Sequence, residues 1–256
     1  MENFPVAIIT GASSGIGRAT AIYFAEKKYR LALCGRNETA LNECVERCIE
    51  KGLKKDQVTT TIGDLCEEAV GKKLVENALH VFGRIDVLVN AAGILVGGCV
   101  DSTPITEYDR QFNTNIRSII LLTQFALPHI KKTKGCIVNV SSVAGTRSFP
   151  NAAYYCMSKA ALDQFTKCLA LEVAPDVRVN SVNPGVIVTD IHKRAGMDEA
   201  TYAEFLEKCK TTHLLGRAGE DIEVAKAIYF LASDMSSFTT GELLHVDGGR
   251  NLMCPR

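Results

Sequence analysis

No window of this 256-residue chain reaches the roughly 18 apolar residues that a membrane-spanning helix needs. The least charged stretch, Val87 to Val100, is shorter and carries Asn90, Gly93, Gly97 and Gly98, which suits a buried strand and loop. An excess of one charge is also missing. Lys plus Arg total 29, Asp plus Glu total 29, and the balance lacks the basic surplus of a nucleic-acid binder. The ten cysteines contain no Cys-x-x-Cys pair, and the five histidines fall in no metal motif. Cys44 and Cys48 share a helical face and could chelate, but packing is the preferred reading. No metal is expected, and the thiols read as reduced and mostly buried. No Pro/Ser-rich linker and no repeat divides the chain, so one domain over 1–256 is expected. The first residues show no signal or transit pattern, and Cys254-Pro255-Arg256 is not a Ser-Lys-Leu address, so the expected location is cytoplasmic.

What the chain does have is alternation. Apolar runs at Val6–Thr10, Leu31–Cys34, Val58–Ile62, Asp86–Asn90, Cys136–Val140, Val177–Val182 and Glu242–Val246 read as strands. Between them, amphipathic stretches read as helices at about Gly15–Lys28, Glu38–Lys51, Glu67–Phe82, Glu107–Lys131, Tyr154–Val173 and Ile222–Ala232. Pro128 is expected to end or kink the fourth of these. Strand and helix in strict turn imply an α/β fold, a doubly wound, Rossmann-like parallel sheet with helices on both faces. The segment 186–219 breaks the rhythm, with a helical piece at Asp198–Lys210. An insertion after a parallel strand sits where ligands bind, so it reads as a substrate lid or as an irregular surface connection.

Two motifs carry chemistry. Thr10-Gly11-Ala12-Ser13-Ser14-Gly15-Ile16-Gly17 joins the first strand to the first helix, where glycines let backbone approach a pyrophosphate at a helix N-terminus. No Gly-Lys-Ser/Thr follows, which disfavours a triphosphate kinase; a structural turn is the plainer alternative. Tyr155 and Lys159 stand four apart on a helix, hence on one face. An ammonium near a phenol favours the phenolate and would lower its pKa from about 10. Alone, the pair could be ordinary helix surface. Ser142 ends the fifth strand thirteen residues before Tyr155, Asn90-Ala91-Ala92-Gly93 ends the fourth, and Asn115 lies in the helix that follows it. Carboxyl ends of parallel strands converge on one crevice.

These motifs together, in this order and at these distances from Val6 to Gly249, with Asn183-Pro184-Gly185 after the sixth strand, resemble the short-chain dehydrogenase/reductase family, in its classical branch. The resemblance implies that Tyr155 is the general acid/base, that Lys159 sets its pKa and holds the nicotinamide ribose, and that Ser142 bonds the substrate oxygen. Asn115 would anchor a water leading protons out past Lys159. Tyr154 and Ser141 compete for the labels, but the Tyr-x-x-x-Lys spacing and the count of thirteen select Tyr155 and Ser142. The match further implies a nicotinamide coenzyme. Gly11, Ser13, Ser14, Gly15, Ile16 and Gly17 would lie around its pyrophosphate, with Asp64 and Leu65 at the adenine. Asn90, Ala91 and Gly93 would stand near the adenosine, and Pro184, Gly185, Ile187 and Thr189 at the carboxamide. Asp247-Gly248-Gly249 would serve subunit packing.

The coenzyme choice turns on Leu33-Cys34-Gly35-Arg36-Asn37 at the end of the second strand. Gly35 stands where an NAD enzyme usually carries an acid, and Arg36 can take a 2′-phosphate, so NADP(H) is expected although Ser14 is not basic. A surface arginine is the alternative. The expected activity is NADPH-dependent reduction of a small-molecule carbonyl (ketone, dicarbonyl or 3-oxoacyl), with a homotetramer as the assembly and no nucleic-acid or membrane partner. The reverse oxidation of a secondary alcohol or hydroxysteroid and a non-catalytic NADP-binding regulator are the other two readings. In the lid, His192-Lys193-Arg194 could meet an acidic carrier or be a solvated run, and Met197, Tyr202, Phe205 and Leu206 could line a pocket or pack the lid helix.

Overall fold

The computed structural model describes residues 4–253, so Cys254-Pro255-Arg256 lies outside the described residues. Strands β1 (Val6–Thr10), β2 (Arg30–Gly35), β3 (Val58–Ile62), β4 (Val87–Asn90), β5 (Cys136–Val140), β6 (Arg178–Pro184) and β7 (Leu243–Val246) form one sheet. All pairings are parallel and the order is β3-β2-β1-β4-β5-β6-β7. The order reverses between β1 and β4, which opens a crevice at their carboxyl ends.

The helices are α1 (Gly15–Glu26), α2 (Glu38–Glu50), α3 (Glu68–Phe82), α4 (Ile105–Phe112), α5 (Ser118–Thr133), α6 (Ala153–Val173), α7 (Ile191–Arg194), α8 (Glu199–Thr212) and α9 (Asp221–Ala232). Alternate residues of β1 feed opposite cores, because side chains along a strand point to opposite faces. Ala7 and Ile9 pack with Phe24 of α1, Leu41 and Cys44 of α2, and Val224 and Ile228 of α9. Val6 and Ile8 pack with Leu74 of α3, Leu122 and Ile130 of α5, and Leu169 of α6. Cys44 and Cys48 are fully buried in the first of these cores, and the nine described cysteines form no disulfide.

Three expectations need correction. Pro128 does not end α5, which runs on to Thr133. Pro128 and Gln124 are both exposed, so water can serve the carbonyl that the ring deprives of its partner. The single long helix expected over 107–131 is instead broken upstream, by a π-turn at Asn113–Arg117. Strand β6 also extends past Val182, because Asn183 and Pro184 find partners in His245 and Val246 of β7.

Candidate active site

The loop between β1 and α1 is built for close backbone approach. Gly11 has φ +65°, and a Cβ there would stand 2.9 Å from the Ala91 carbonyl oxygen. A Cβ on Gly17 would collide with the Gly11 carbonyl. Thr10 ties the two strand ends together: its hydroxyl accepts from the N–H groups of Ala91 and Ala92, both at 3.0 Å. Ser14 precedes α1 without capping it through its side chain. Glycine-walled backbone beside a helix N-terminus suits a pyrophosphate, so the cradle fits a dinucleotide.

Above this loop runs a cleft of about 790 Å³, from Arg36, Asp64 and Leu65 on the β2–β3 side to Ser142, Tyr155 and Lys159 beyond β5. Gly11, Ser13, Ser14, Gly15, Ile16 and Gly17 line it, as do Ala91, Gly93, Pro184, Gly185, Ile187 and Thr189. Two expected residues do not. Asn90 is 1% exposed, and its side chain donates to Asn139 (2.9 Å), which donates in turn to Thr166 (2.9 Å), so its amide is turned into the buried interior and away from the cleft. Asn115, in the π-turn, is fully buried and clamps Ile94 from both sides, accepting from its N–H (2.9 Å) and donating to its carbonyl (3.0 Å). Its second N–H goes to the Ser158 hydroxyl at 3.0 Å. The amide of Asn115 is thus fully engaged with Ile94 and Ser158.

Tyr155 and Ser142 are each 9% exposed and Lys159 is 4% exposed. Burial pushes the Tyr155 phenol up to about 12, with a hydrogen bond from Ser142 opposing. The expectation that Lys159 would dominate and favour the phenolate is therefore corrected. The Lys159 ammonium lies 5.7 Å from the ring centroid and donates to the Val140 carbonyl at 2.9 Å, and desolvation of the phenol sets the direction of its shift. The same burial lowers Lys159 itself to about 8, with Asp163 opposing. Near neutrality the phenol thus holds its proton. Its neighbour Tyr154 stacks edge-on against Tyr108 at 5.6 Å and does not line the cleft. Ser141 lines the cleft but turns its hydroxyl to the Lys159 carbonyl (3.3 Å), whereas Ser142 Oγ accepts from the Ala144 N–H (3.1 Å) and keeps its proton to give.

At the other end, Arg36 pairs with Asp64 at 3.6 Å; both are well exposed, so the pair contributes little. Partial burial raises the Asp64 carboxyl, but the Cys66 N–H and Arg36 outweigh it and leave the group below its ordinary value. Gly35 is crowded: a Cβ there would meet both Cβ and Oγ of Ser13 at 3.0 Å.

The segment after β6 is pinned at its root. Val188 donates to the Gly219 carbonyl (2.8 Å), Gly219 to that of Val186 (2.9 Å), and the Val186 N–H to His213 Nε2 (3.2 Å). Tyr202 of α8 donates its hydroxyl to the Thr189 carbonyl at 3.0 Å, and Thr189 sits against Gly15. Met197 and Phe205 line the cleft; Tyr202 and Leu206 do not. Of the basic run, Lys193 pairs with Glu199 (2.8 Å) and Arg194 with Asp190 (3.5 Å), while the His192 ring packs on Phe205 at 4.6 Å.

Asp163 and Arg250 escaped the sequence reading, and Asn183 entered it only as part of the Asn183-Pro184-Gly185 motif, with no role of its own. Asp163 continues the helical face of Tyr155 and Lys159 by one more turn, a spacing that would have revealed it. Its carboxylate accepts from Asn183 Nδ2 at 3.1 and 2.9 Å, and the same Nδ2 donates to the Ser142 carbonyl (3.1 Å). Asp163 and Asn183 thereby fix the backbone that carries Ser142. Arg250 reaches the cleft from the turn after β7, and no spacing signals it.

Comparison with known proteins agrees with this geometry. A family model described as enoyl-(acyl carrier protein) reductase matches residues 11–251. The chain is 36% identical to the meso-2,3-butanediol dehydrogenase of Serratia marcescens over 95% of its length and 93% of that protein's. It is 35% identical to a 3-oxoacyl-[acyl-carrier-protein] reductase of Staphylococcus aureus, over 95% and 96% of the two chains. Among solved structures, a short-chain dehydrogenase/reductase from Caenorhabditis elegans with cofactor superposes with a TM-score of 0.92 at 35% identity, covering 98% of this chain and 96% of that one. With the parallel sheet, the glycine cradle and the Ser142, Tyr155 and Lys159 grouping, these matches show that the chain belongs to the short-chain dehydrogenase/reductase family.

Proposed function

We propose that the protein reduces a small-molecule carbonyl to an alcohol with NADPH, and that Tyr155 supplies the proton. The observation that carries this reading is the buried phenol of Tyr155 beside Ser142 and Lys159 in the cleft that the glycine loop lines. NADPH, held along Gly11–Gly17 and by Lys159, supplies the hydride when bound. Ser142 donates a hydrogen bond to the substrate oxygen and orients it toward Tyr155. Tyr155 then gives its proton to that oxygen as negative charge develops there. Lys159, pinned to the Val140 carbonyl, stabilises the resulting phenolate, and Asn115, Asp163 and Asn183 hold the frame.

The preference for NADPH rests on Gly35 and Arg36, since no carboxylate at 35 repels a 2′-phosphate and the Arg36 guanidinium borders the cleft. Ketones, dicarbonyls and 3-oxoacyl thioesters remain the substrate classes; one relative is named a 3-oxoacyl reductase and another a butanediol dehydrogenase, which also keeps alcohol oxidation as the same site run in reverse. The full set of Ser142, Tyr155 and Lys159 argues against a regulator without turnover. The segment 186–219 acts as the substrate lid of a single domain. A cytoplasmic homotetramer belongs to the same proposal; no helix among the described residues is long and apolar enough to cross a membrane. The test is loss of NADPH absorbance over a panel of ketones, quinones, diketones and 3-oxoacyl thioesters. Binding of NADPH without turnover of any of them contradicts the reading.

A further inference from the structure

At the end of the cleft formed by α8 and the turn after β7, cations outnumber their partners. Arg194, Lys208 and Arg250 all line it. Arg194 is paired with Asp190, but among the described residues neither Lys208 nor Arg250 has a carboxylate within ion-pair distance. Asp247 is close in sequence to Arg250, yet its two oxygens accept from the N–H groups of Gly249 (2.9 Å) and Asn251 (2.7 Å).

Arg250 is half-buried and held in place. It donates to the Thr212 hydroxyl at 2.7 Å and lies over the Phe149 ring at 5.0 Å. Its own backbone is anchored by Arg147, which donates to the Arg250 carbonyl at 2.6 Å. Phe149 belongs to the loop between Ser142 and Tyr155, so this guanidinium faces the same chamber as the reacting groups. His192, in the same chamber, is turned against Phe205, and burial together with the nearby Arg250 lowers its pKa. A guanidinium partly withdrawn from water, with Asp247 nearby but no carboxylate at ion-pair distance among the described residues, is costly to hold, and one hydroxyl and one ring leave most of its five N–H donors unused.

Resting on the carbonyl-reduction reading above, we propose that Arg250 is a specificity-determining residue that binds a carboxylate at the far end of the substrate, so that the preferred substrates are oxo acids. Lys208 adds a second positive charge, and Phe149, Phe205 and Met197 supply an apolar wall for the carbon chain between. The planar fork of an arginine suits the planar carboxylate better than a tetrahedral anion or a hydroxyl.

The test compares acetoacetate and levulinate with their methyl esters, and a neutral diketone as control, by kcat/KM in wild type, Arg250→Gln and Arg250→Lys. At least one acid should exceed its ester by about 10-fold or more, a preference that weakens with added salt. Arg250→Gln should bring the ratio close to one, and Arg250→Lys should keep part of it. Calorimetric titration with pentanoate, which cannot be reduced, should show binding that Arg250→Gln weakens by the same factor. Equal use of acids and esters by wild type, or an unchanged ratio in Arg250→Gln, overturns the proposal and leaves Arg250 as a structural prop on Phe149. If Arg250→Gln does not fold, the wild-type ratio and its salt dependence still decide. If no carbonyl is reduced at all, including the diketone, the failure lies with the reductase reading, and pentanoate binding judges Arg250 separately.

Discussion

Lys159 shows how a single side chain trades stability for chemistry. Burial holds its ammonium at about 8 in the folded chain, below the ordinary 10.5. Between those values the unfolded chain binds more protons, so stability rises as pH climbs from about 8 to 10.5, and below 8 the full penalty stands. Lys159→Met should therefore be more stable than wild type near neutral pH, by on the order of 1–3 kcal/mol after the lost bond to Val140 is allowed for. The gap in Tm should narrow toward pH 10. A variant that is less stable at neutral pH means that the Val140 bond outweighs the buried charge. Arg36 gives a second test. Arg36→Ala should weaken NADPH binding about 10- to 150-fold and leave NADH nearly untouched, as expected for one charge-assisted contact of about 1.5–3 kcal/mol. The ratio of kcat/KM for NADPH over NADH measures it, and an unchanged ratio removes the coenzyme assignment. Gly35→Asp is a poor companion test, because the new Cβ would press on Ser13 at 3.0 Å and disturb the glycine loop itself.

Helix α6 was the element most legible in the sequence. Its four-residue spacing puts Tyr155 and Lys159 on one face, and extending that spacing would have found Asp163. The π-turn at Asn113–Arg117 was not legible, because it arises from where Asn115 must sit to reach Ile94 and Ser158, partners distant in sequence. The same limit applied to Asn90, whose side chain goes to Asn139 on the next strand rather than into the cleft. Segment 186–219 was visible as an interruption, but its pinned root and the Tyr202 bond to Thr189 were not. Tyr202→Phe removes that single bond, which holds the Thr189 loop against Gly15. KM for the coenzyme should rise about 2- to 10-fold, the range for one hydrogen bond, with kcat changing less. A drop in kcat with KM unchanged would place the Tyr202 contact in the reaction itself.

The whole molecule follows from alternation: each apolar strand needs cover on both faces, each helix supplies one stripe, and the order reversal at β1 and β4 opens the crevice. That much could be read from periodicity, and strand boundaries moved by only a residue or two. The electrostatic state of the site could not be read, since the height of the Tyr155 pKa depends on how deeply the assembled fold buries it. The central claim joins the two, a dinucleotide cleft with a phenol that keeps its proton for a carbonyl oxygen. It is tested most directly by NADPH oxidation with a reducible ketone or diketone in wild type, Tyr155→Phe and Tyr154→Phe, with NADPH binding measured alongside. Tyr155→Phe should bind NADPH as before and lose at least about 100-fold in kcat, the low end for general acid catalysis, while Tyr154→Phe stays near wild type. Turnover that survives in Tyr155→Phe and falls in Tyr154→Phe would contradict the account.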